Sequence, residues 1–238
     1  MSDTFEPLWP GGPLFRQAAH FRLSTDSVLL ADFVRPGRAR RGIDLGCGSG
    51  ILSLLLLART RALEMTGLEL LPEAAALADE NLAANALSPR GRAVCGDIRR
   101  ARELFPAASF DLAVANPPYY PVTAGALSPD GERAAARSEL TCSLEELCEA
   151  AAWLVRSGGS FSLVYKPERL SELFCRLSAH GLEPKRLRLV CERAESAPSL
   201  ALVESRRGGR PGLRVEPALC LLGPDGAPSA EQRRIYHL

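Results

Sequence analysis

A planar amino group attached to an aromatic ring or a carbonyl is a poor nucleophile, because its lone pair is delocalised. Two acceptors aimed at its hydrogens favour a more pyramidal, more reactive nitrogen. The run Asn116-Pro117-Pro118-Tyr119 carries such a set. Asn116 offers a side-chain carbonyl and Pro117 a main-chain carbonyl. Consecutive prolines restrict φ and exclude helix, so the loop is stiff. Tyr119 supplies an aromatic face on which a planar substrate can stack.

Three other points in the chain are suited to holding a nucleoside-like, positively charged ligand. The first is Asp44-Leu45-Gly46-Cys47-Gly48-Ser49-Gly50. Gly46, Gly48 and Gly50 alternate, which permits a tight turn and close approach of a ligand to the backbone, and the helix that follows presents free amides. This G-x-G-x-G spacing departs from the G-x-G-x-x-G of dinucleotide sites, and Asp44 suits a cationic or amine-bearing ligand better than a pyrophosphate. The second point is Glu69, at the end of the next apolar strand, where a carboxylate accepts from ribose hydroxyls. The third is Gly96-Asp97-Ile98, where Asp97 is an acceptor for an adenine amino group and Ile98 is placed to flank the ring.

The elements that must position these groups follow from periodicity and punctuation. Short apolar runs at Gly42–Leu45, Leu63–Leu70, Gly91–Cys95, Phe110–Ala115 and Ser160–Tyr165 read as strands. Between them lie helical stretches: Ile51–Arg61, apolar nearly all round; Pro72 to about Ala86, opened by proline; and a segment from Ser143 to about Arg156, ended by Gly158-Gly159. A further helix runs from Pro167 to His180 and closes at Gly181. Arg186–Cys191 and Ser199–Glu204 read as two closing strands that pair antiparallel. Alternation of this kind predicts an α/β architecture with a mainly parallel sheet covered on both faces. Every candidate ligand residue then sits beyond the carboxyl end of a strand, where open α/β sheets bind ligands. Ser24-Thr25-Asp26 caps a short helix before the first strand. Residues 1–13 and Gly208–Gly212 are expected to be mobile.

Length and composition bound the rest. The chain has 238 residues and a net charge of +1, so no global basic field points to nucleic acid. Its seven cysteines are scattered without a C-x-x-C pair, which predicts free thiols and no metal site. No apolar run is long enough to span a bilayer, and the acidic, Pro/Gly-rich start lacks the pattern of a signal peptide; a cytoplasmic protein without membrane contact is expected. Arg206, Arg207, Arg210 and Arg214 cluster beside glycines and are candidates for RNA phosphate contact. Arg38, Arg40 and Arg41 read as a solvated run, and His20, His180 and His237 are isolated.

The DLGCGSG run with Glu69, Asp97 and Asn116-Pro117-Pro118-Tyr119 resembles the class I S-adenosylmethionine methyltransferases that act on adenine N6, cytosine N4 or glutamine N5. The resemblance implies a Rossmann-like, mostly parallel seven-stranded sheet with helices on both faces and a C-terminal antiparallel pair. It also implies that Asp44, Gly46, Gly48, Gly50, Glu69, Asp97 and Ile98 hold S-adenosylmethionine, and that residues 116–119 act on the target amine without a metal. Phe21–Leu30, Ala136–Glu139, Pro167–Val190 and Leu202–Gly209 are similar to the bacterial tRNA adenine-N6 methyltransferases that modify a valine tRNA just 3′ of the anticodon. That narrower resemblance implies a tRNA substrate bound partly through Arg206, Arg207 and Arg210. Alternatives are a glutamine-N5 methyltransferase of peptide release factors, which typically carries a substantial helical domain ahead of the glycine loop, or another rRNA or DNA amino-methyltransferase. Here only about 40 residues precede Asp44. The expected organisation is an extension over residues 1–35, a strand and short helix, packed on a methyltransferase domain over 36–238.

Overall fold

The structure, a computed structural model, describes residues 4–17, 25–117 and 142–238. A two-stranded hairpin, β1 (Glu6–Pro7) and β2 (Leu14–Phe15), precedes helix α1 (Thr25–Phe33). Strand β3 (Arg41–Leu45), α2 (Ile51–Arg59), β4 (Glu64–Glu69), α3 (Pro72–Ala84) and β5 (Gly91–Cys95) form one half of an α/β unit. A short α4 (Ala101–Leu104), β6 (Phe110–Ala115), α5 (Leu144–Leu154), β7 (Val155–Tyr165) and α6 (Leu170–Ala179) form the other. The chain closes with β8 (Leu182–Cys191), β9 (Leu200–Arg207), the short strands β10 (Arg214–Val215) and β11 (Leu219–Cys220), and helix α7 (Ala230–Tyr236).

The main sheet runs β10-β8-β9-β7-β6-β3-β4-β5, with β11 also paired to β8. Strands β3 to β7 are mutually parallel, and β9 is antiparallel to both of its neighbours. The seven strands expected from sequence are all present, and the closing pair is antiparallel. From β3 the chain winds outward through β4 and β5, then returns to the other side of β3 as β6. That reversal makes the β3–β6 boundary the switch point, where the loops leaving two adjacent strands diverge and open a crevice.

Burial explains the layers. In α2 every residue from Ile51 to Leu57 is buried, because this helix lies between the sheet and α1. Helix α5 starts on a reciprocal cap in which Ser143 Oγ accepts from the Glu146 amide while the Glu146 carboxylate accepts from Ser143.

Four sequence expectations are corrected. Gly158-Gly159 does not end α5. The helix stops at Leu154, whose successor Val155 is already extended and paired with Phe110, and the glycines lie inside β7 at a shift in the β6–β7 register. Gly158 has φ of +75°, and a Cβ on Gly159 would lie 2.6 Å from the Asp111 carbonyl oxygen; they form a bulge. Residues 1–13 are not uniformly mobile: Glu6–Pro7 pairs with Leu14–Phe15 and Trp9 stacks on His237 at 4.0 Å. That pairing also makes the N-terminal extension a hairpin plus helix, in place of a single strand and helix. The Gly208–Gly212 turn is likewise hydrogen-bonded, Gly208 N to Gly181 O at 2.9 Å and Lys185 Nζ to Arg210 O at 2.8 Å. Strands β10 and β11, two residues each, have no signal in the sequence; pairing with the exposed edge of β8 creates them.

Candidate functional site

The glycine loop folds over the end of β4. The amides of Gly46 and Cys47 both donate to Leu68 O, at 2.8 and 3.2 Å. At Gly50 the requirement for glycine is steric as well as conformational: φ is +81°, and a Cβ would lie 2.9 Å from the Ala78 Cβ of α3. Gly46 and Gly48 also have positive φ. The loop is therefore pinned by its own backbone before any ligand arrives.

Asp44 sits at the end of β3 and is 1% exposed. Ser53 Oγ, from the first turn of α2, donates to its Oδ2 at 3.0 Å. Burial pushes the Asp44 carboxyl up to about 7, partly offset by the Ser53 hydroxyl and amide, with Glu69 adding like-charge repulsion. Glu69 is 8% exposed. Its Oε2 accepts from the Gly48 amide at 2.9 Å and its Oε1 from the Leu71 amide at 3.0 Å. Those bonds lock the glycine loop against β4 and leave acceptor capacity for hydroxyls. Neither carboxylate has an ion pair among the described residues. Two neighbouring buried carboxylates without an ion pair fit a cation, and the sulfonium and ammonium of S-adenosylmethionine have the charge to meet that demand.

Asp97 caps the turn after β5. Its carboxylate accepts from Arg99 N at 2.9 Å and bidentately from the Arg99 guanidinium, which holds it below the usual carboxylate range. Ile98 Cδ1 lies 3.9 Å from where a Gly46 Cβ would stand, so the β5 turn reaches the glycine loop. Leu70 is 38% exposed and Leu104 39%, leaving apolar surface beside Glu69 and Gly96.

Asn116 and Pro117 leave the end of β6. Since Asp44 pairs with Val114 across β3 and β6, Asn116 stands beside the glycine loop across the switch point. Its Nδ2 donates to Ser27 Oγ of α1 at 2.9 Å. Pro118 and Tyr119 lie outside the described residues, as do Phe21–Ser24 and Ala136–Glu139.

The structure thus brings Asp44, the three glycines, Glu69, Asp97, Ile98, Asn116 and Pro117 to one end of the sheet. It does not bring Arg206, Arg207 and Arg210 there. Arg206 pairs with Ser160 at the start of the regular part of β7. That places it about 13 Å back along the strand direction from Asn116, and two strands across. Arg206 donates to Gly158 O at 2.8 Å. Arg207 is half-buried and donates to the carbonyls of Val155 and Trp153, at 2.6 and 3.3 Å. Arg210 is exposed.

Sequence reasoning missed Ser27 and Ser53. Each is a buried hydroxyl on a helix, at 4% and 2% exposure, and a polar group kept from water marks a partner that must be satisfied. Cys47, inside the glycine loop, is no nucleophile. Burial first, then Asp44 and Glu69, raise its thiol well above the ordinary range, and its Sγ fills the space that only Gly67 leaves open, 2.5 Å from where a Cβ would be.

The model of the methyltransferase small domain matches residues 19–174, which include the glycine loop, Glu69, Asp97 and Asn116. The chain belongs to the methyltransferase small-domain family. Among curated relatives, a protein of Tolumonas auensis named tRNA1(Val) (adenine(37)-N6)-methyltransferase is 33% identical over 211 residues, spanning 88% of this chain and 86% of its own length. One of the same name from Cronobacter sakazakii is 34% identical over 207 residues, spanning 84% and 82%. Among solved structures, an Agrobacterium tumefaciens protein described as a predicted O-methyltransferase superposes with a TM-score of 0.72 at 23% identity, covering 90% of this chain and 96% of its own. A geranyl diphosphate C-methyltransferase of Streptomyces coelicolor gives 0.55 at 13% identity, covering 76% and 78%. These structural likenesses establish the fold. They do not distinguish methylation of oxygen, carbon or nitrogen, which rests on the loop after β6. Among the described residues no helix is long and apolar enough to cross a membrane.

Proposed function

We propose that this methyltransferase moves the methyl group of S-adenosylmethionine to the exocyclic N6 of an adenine in tRNA, the adenosine just 3′ of the anticodon in a valine tRNA. The observation that carries the reading is the placement of Asn116 and Pro117 at the switch point, just beyond Val114, which pairs with buried Asp44. Relatives named for this reaction over most of the chain support the substrate.

Bound S-adenosylmethionine supplies an electrophilic methyl group on a sulfonium. Asp44, the glycine loop and the first turn of α2 hold its charged amino-acid end. Glu69 accepts from the ribose hydroxyls, and Asp97 shares its carboxylate between Arg99 and the adenine amino group. Ile98, Leu70 and Leu104 give that ring apolar walls. Asn116 Oδ1 and Pro117 O accept from the two hydrogens of the target amine, which localises its lone pair and aligns it for in-line attack. Pro118 stiffens this loop, and Tyr119 stacks on the extruded base. Arg206 and Arg210 meet RNA phosphates away from the reaction end. Arg207, tied to two carbonyls, supports that edge and adds charge. Residues 1–35 act as an extension whose helix seals the reaction end of the domain over 36–238. The protein works in the cytoplasm, where tRNA is.

Two measurements test the reading. Purified enzyme with methyl-labelled cofactor is offered total tRNA or peptide release factors. Label recovered as N6-methyladenosine in tRNA is the expected outcome, and label only in release factor refutes the substrate. In parallel, Asn116→Ala lowers the single-turnover rate by roughly two to four orders of magnitude while cofactor affinity stays within a few-fold. A near wild-type rate removes the role given to Asn116.

A further inference from the structure

An asparagine that must present an acceptor has a built-in ambiguity. Rotating its amide by half a turn exchanges the carbonyl oxygen for the NH2 group, and the two ends are nearly the same size. Toward an amine, the wrong end sets donor against donor. A serine hydroxyl both donates and accepts, so it does not choose between those ends, but it does fix where the amide lies and in which plane, and in this chain such a hydroxyl comes from another element. Ser27 Oγ lies 2.9 Å from Asn116 Nδ2, on a helix 89 residues away in sequence.

We propose that Ser27 is a positioning residue for methyl transfer, holding the position and plane of the Asn116 amide at the end of β6; this rests on the role given to Asn116 above. Ser27 is 4% exposed, so water does not compete for the bond and its loss is not repaired by solvent. Its helix is held rigidly. The preceding turn is fixed by Tyr236 Oη donating to Thr25 O at 3.3 Å, and the far end by the Arg234–Asp32 ion pair at 2.7 Å. Val28, Leu29 and Leu30 are buried immediately beyond it. A hydroxyl on a braced helix is a fixed reference point. The loop after β6 begins where the strand pairing ends, at Ala115, and so gains from that reference.

The consequence is that α1, ahead of the glycine loop and outside the α/β alternation, supplies part of the catalytic geometry.

The test compares Ser27→Ala and Ser27→Thr, each alone and with Asn116→Ala. Positioning predicts that Ser27→Ala lowers kcat roughly 10- to 100-fold while cofactor affinity and KM for tRNA move little, and that Ser27→Thr, which keeps the hydroxyl, retains more activity than Ser27→Ala. A packing role predicts the reverse order, because threonine is the larger residue in a buried site. In the Asn116→Ala background, Ser27→Ala causes no further loss. Ser27→Ala with kcat within twofold of wild type, an activity order with alanine above threonine, or an undiminished loss in the Asn116→Ala background overturns the proposal. If Asn116→Ala itself stays active, the reading of the site falls and this inference falls with it. If Asn116→Ala is inactive and Ser27→Ala is not, only the inference falls.

Discussion

Asp44 is a carboxylate kept from water and, among the described residues, without an ion-paired cation, so its ionisation is coupled both to folding and to ligand binding. Its ordinary value is 3.8, and in the fold it stands at about 7. Between those values the folded protein holds a proton that the unfolded chain has released. Stability therefore falls as pH rises from about 4 to about 7 and levels off above. Asp44→Asn removes that component, and urea titrations across the range show a flatter profile for the variant. In the proposed role, Asp44 meets the cofactor's cation as the ionised carboxylate, and binding then expels the proton. Calorimetry on the wild-type protein is expected to show affinity falling by about tenfold per pH unit below about 7, with a buffer-dependent heat. A pH-independent affinity shows that Asp44 does not face the cation.

At the scale of elements, the N-terminal segment is attached to the core by two asparagines four residues apart, Asn81 in the last turn of α3 and Asn85 at its C-cap. Asn81 Oδ1 accepts from Arg16 N at 2.8 Å and its Nδ2 donates to Arg16 O at 3.1 Å, while Asn85 makes the same pair of bonds to Leu14. Alternate residues of an extended chain and helix positions i and i+4 have similar spacings, about 6.6 and 6 Å, so each amide meets one peptide group. Asn81 is wholly buried and also donates to Ser49 O in the glycine loop at 2.9 Å. It joins the N-terminal segment, α3 and the candidate cofactor loop. Asn81→Ala is expected to cost about 1–3 kcal/mol, to speed hydrogen exchange at the Leu14 and Arg16 amides, and to weaken cofactor binding. Asn85→Ala, which lacks the bond to Ser49, should release the segment with little effect on the cofactor. Equal effects of the two on cofactor affinity show that the segment alone matters.

For the whole molecule, a net charge of +1 is compatible with a local run of basic residues. The starts of the parallel strands and the end of β9 carry exposed Arg38, Arg40, Arg41, Arg156, Arg206 and Arg210. Asp111 organises part of this edge. Its carboxylate accepts from Arg156 Nε at 2.6 Å and from the amides of Arg40 and Arg41, which overcome its desolvation and take it down to about 2. The opposite end carries Asp44 and Glu69, the buried carboxylates of the candidate cofactor site. Converting Arg206 and Arg210 to glutamine is expected to weaken tRNA binding. The slope of log affinity against log salt should fall by roughly 0.7–0.9 for each RNA phosphate that the variant no longer neutralises, with cofactor binding unchanged. Arg207→Gln behaves differently: two half-buried carbonyls lose their donor, and thermal stability drops by about 1–3 kcal/mol. An unchanged salt slope in the double variant excludes this edge as an RNA-binding surface.

Much of the sheet was legible because its signals are local. Gly91–Cys95 and Phe110–Ala115 coincide with β5 and β6, each a short apolar run bounded by turn residues. The candidate site is legible for the same reason: its loops follow strands, and a parallel sheet delivers all such loops to one end. Tertiary contacts decided the remainder. Gly158-Gly159 resembles a helix terminator, but pairing with β6 absorbs it as a bulge. The hairpin at Glu6–Phe15 gains its order from Asn81 and Asn85, far along the chain, and no local pattern encodes a docking partner. The arginines at 206, 207 and 210 look equivalent in sequence, yet the antiparallel direction of β9 carries all three away from the reaction end, and only the fold shows that Arg206 is tied to one main-chain carbonyl, Arg207 to two, and that Arg210 is exposed. Ser27 is the sharpest case: it is one of four polar residues in α1, and its burial and its partner, Asn116, are identified only when α1 is packed against the end of β6.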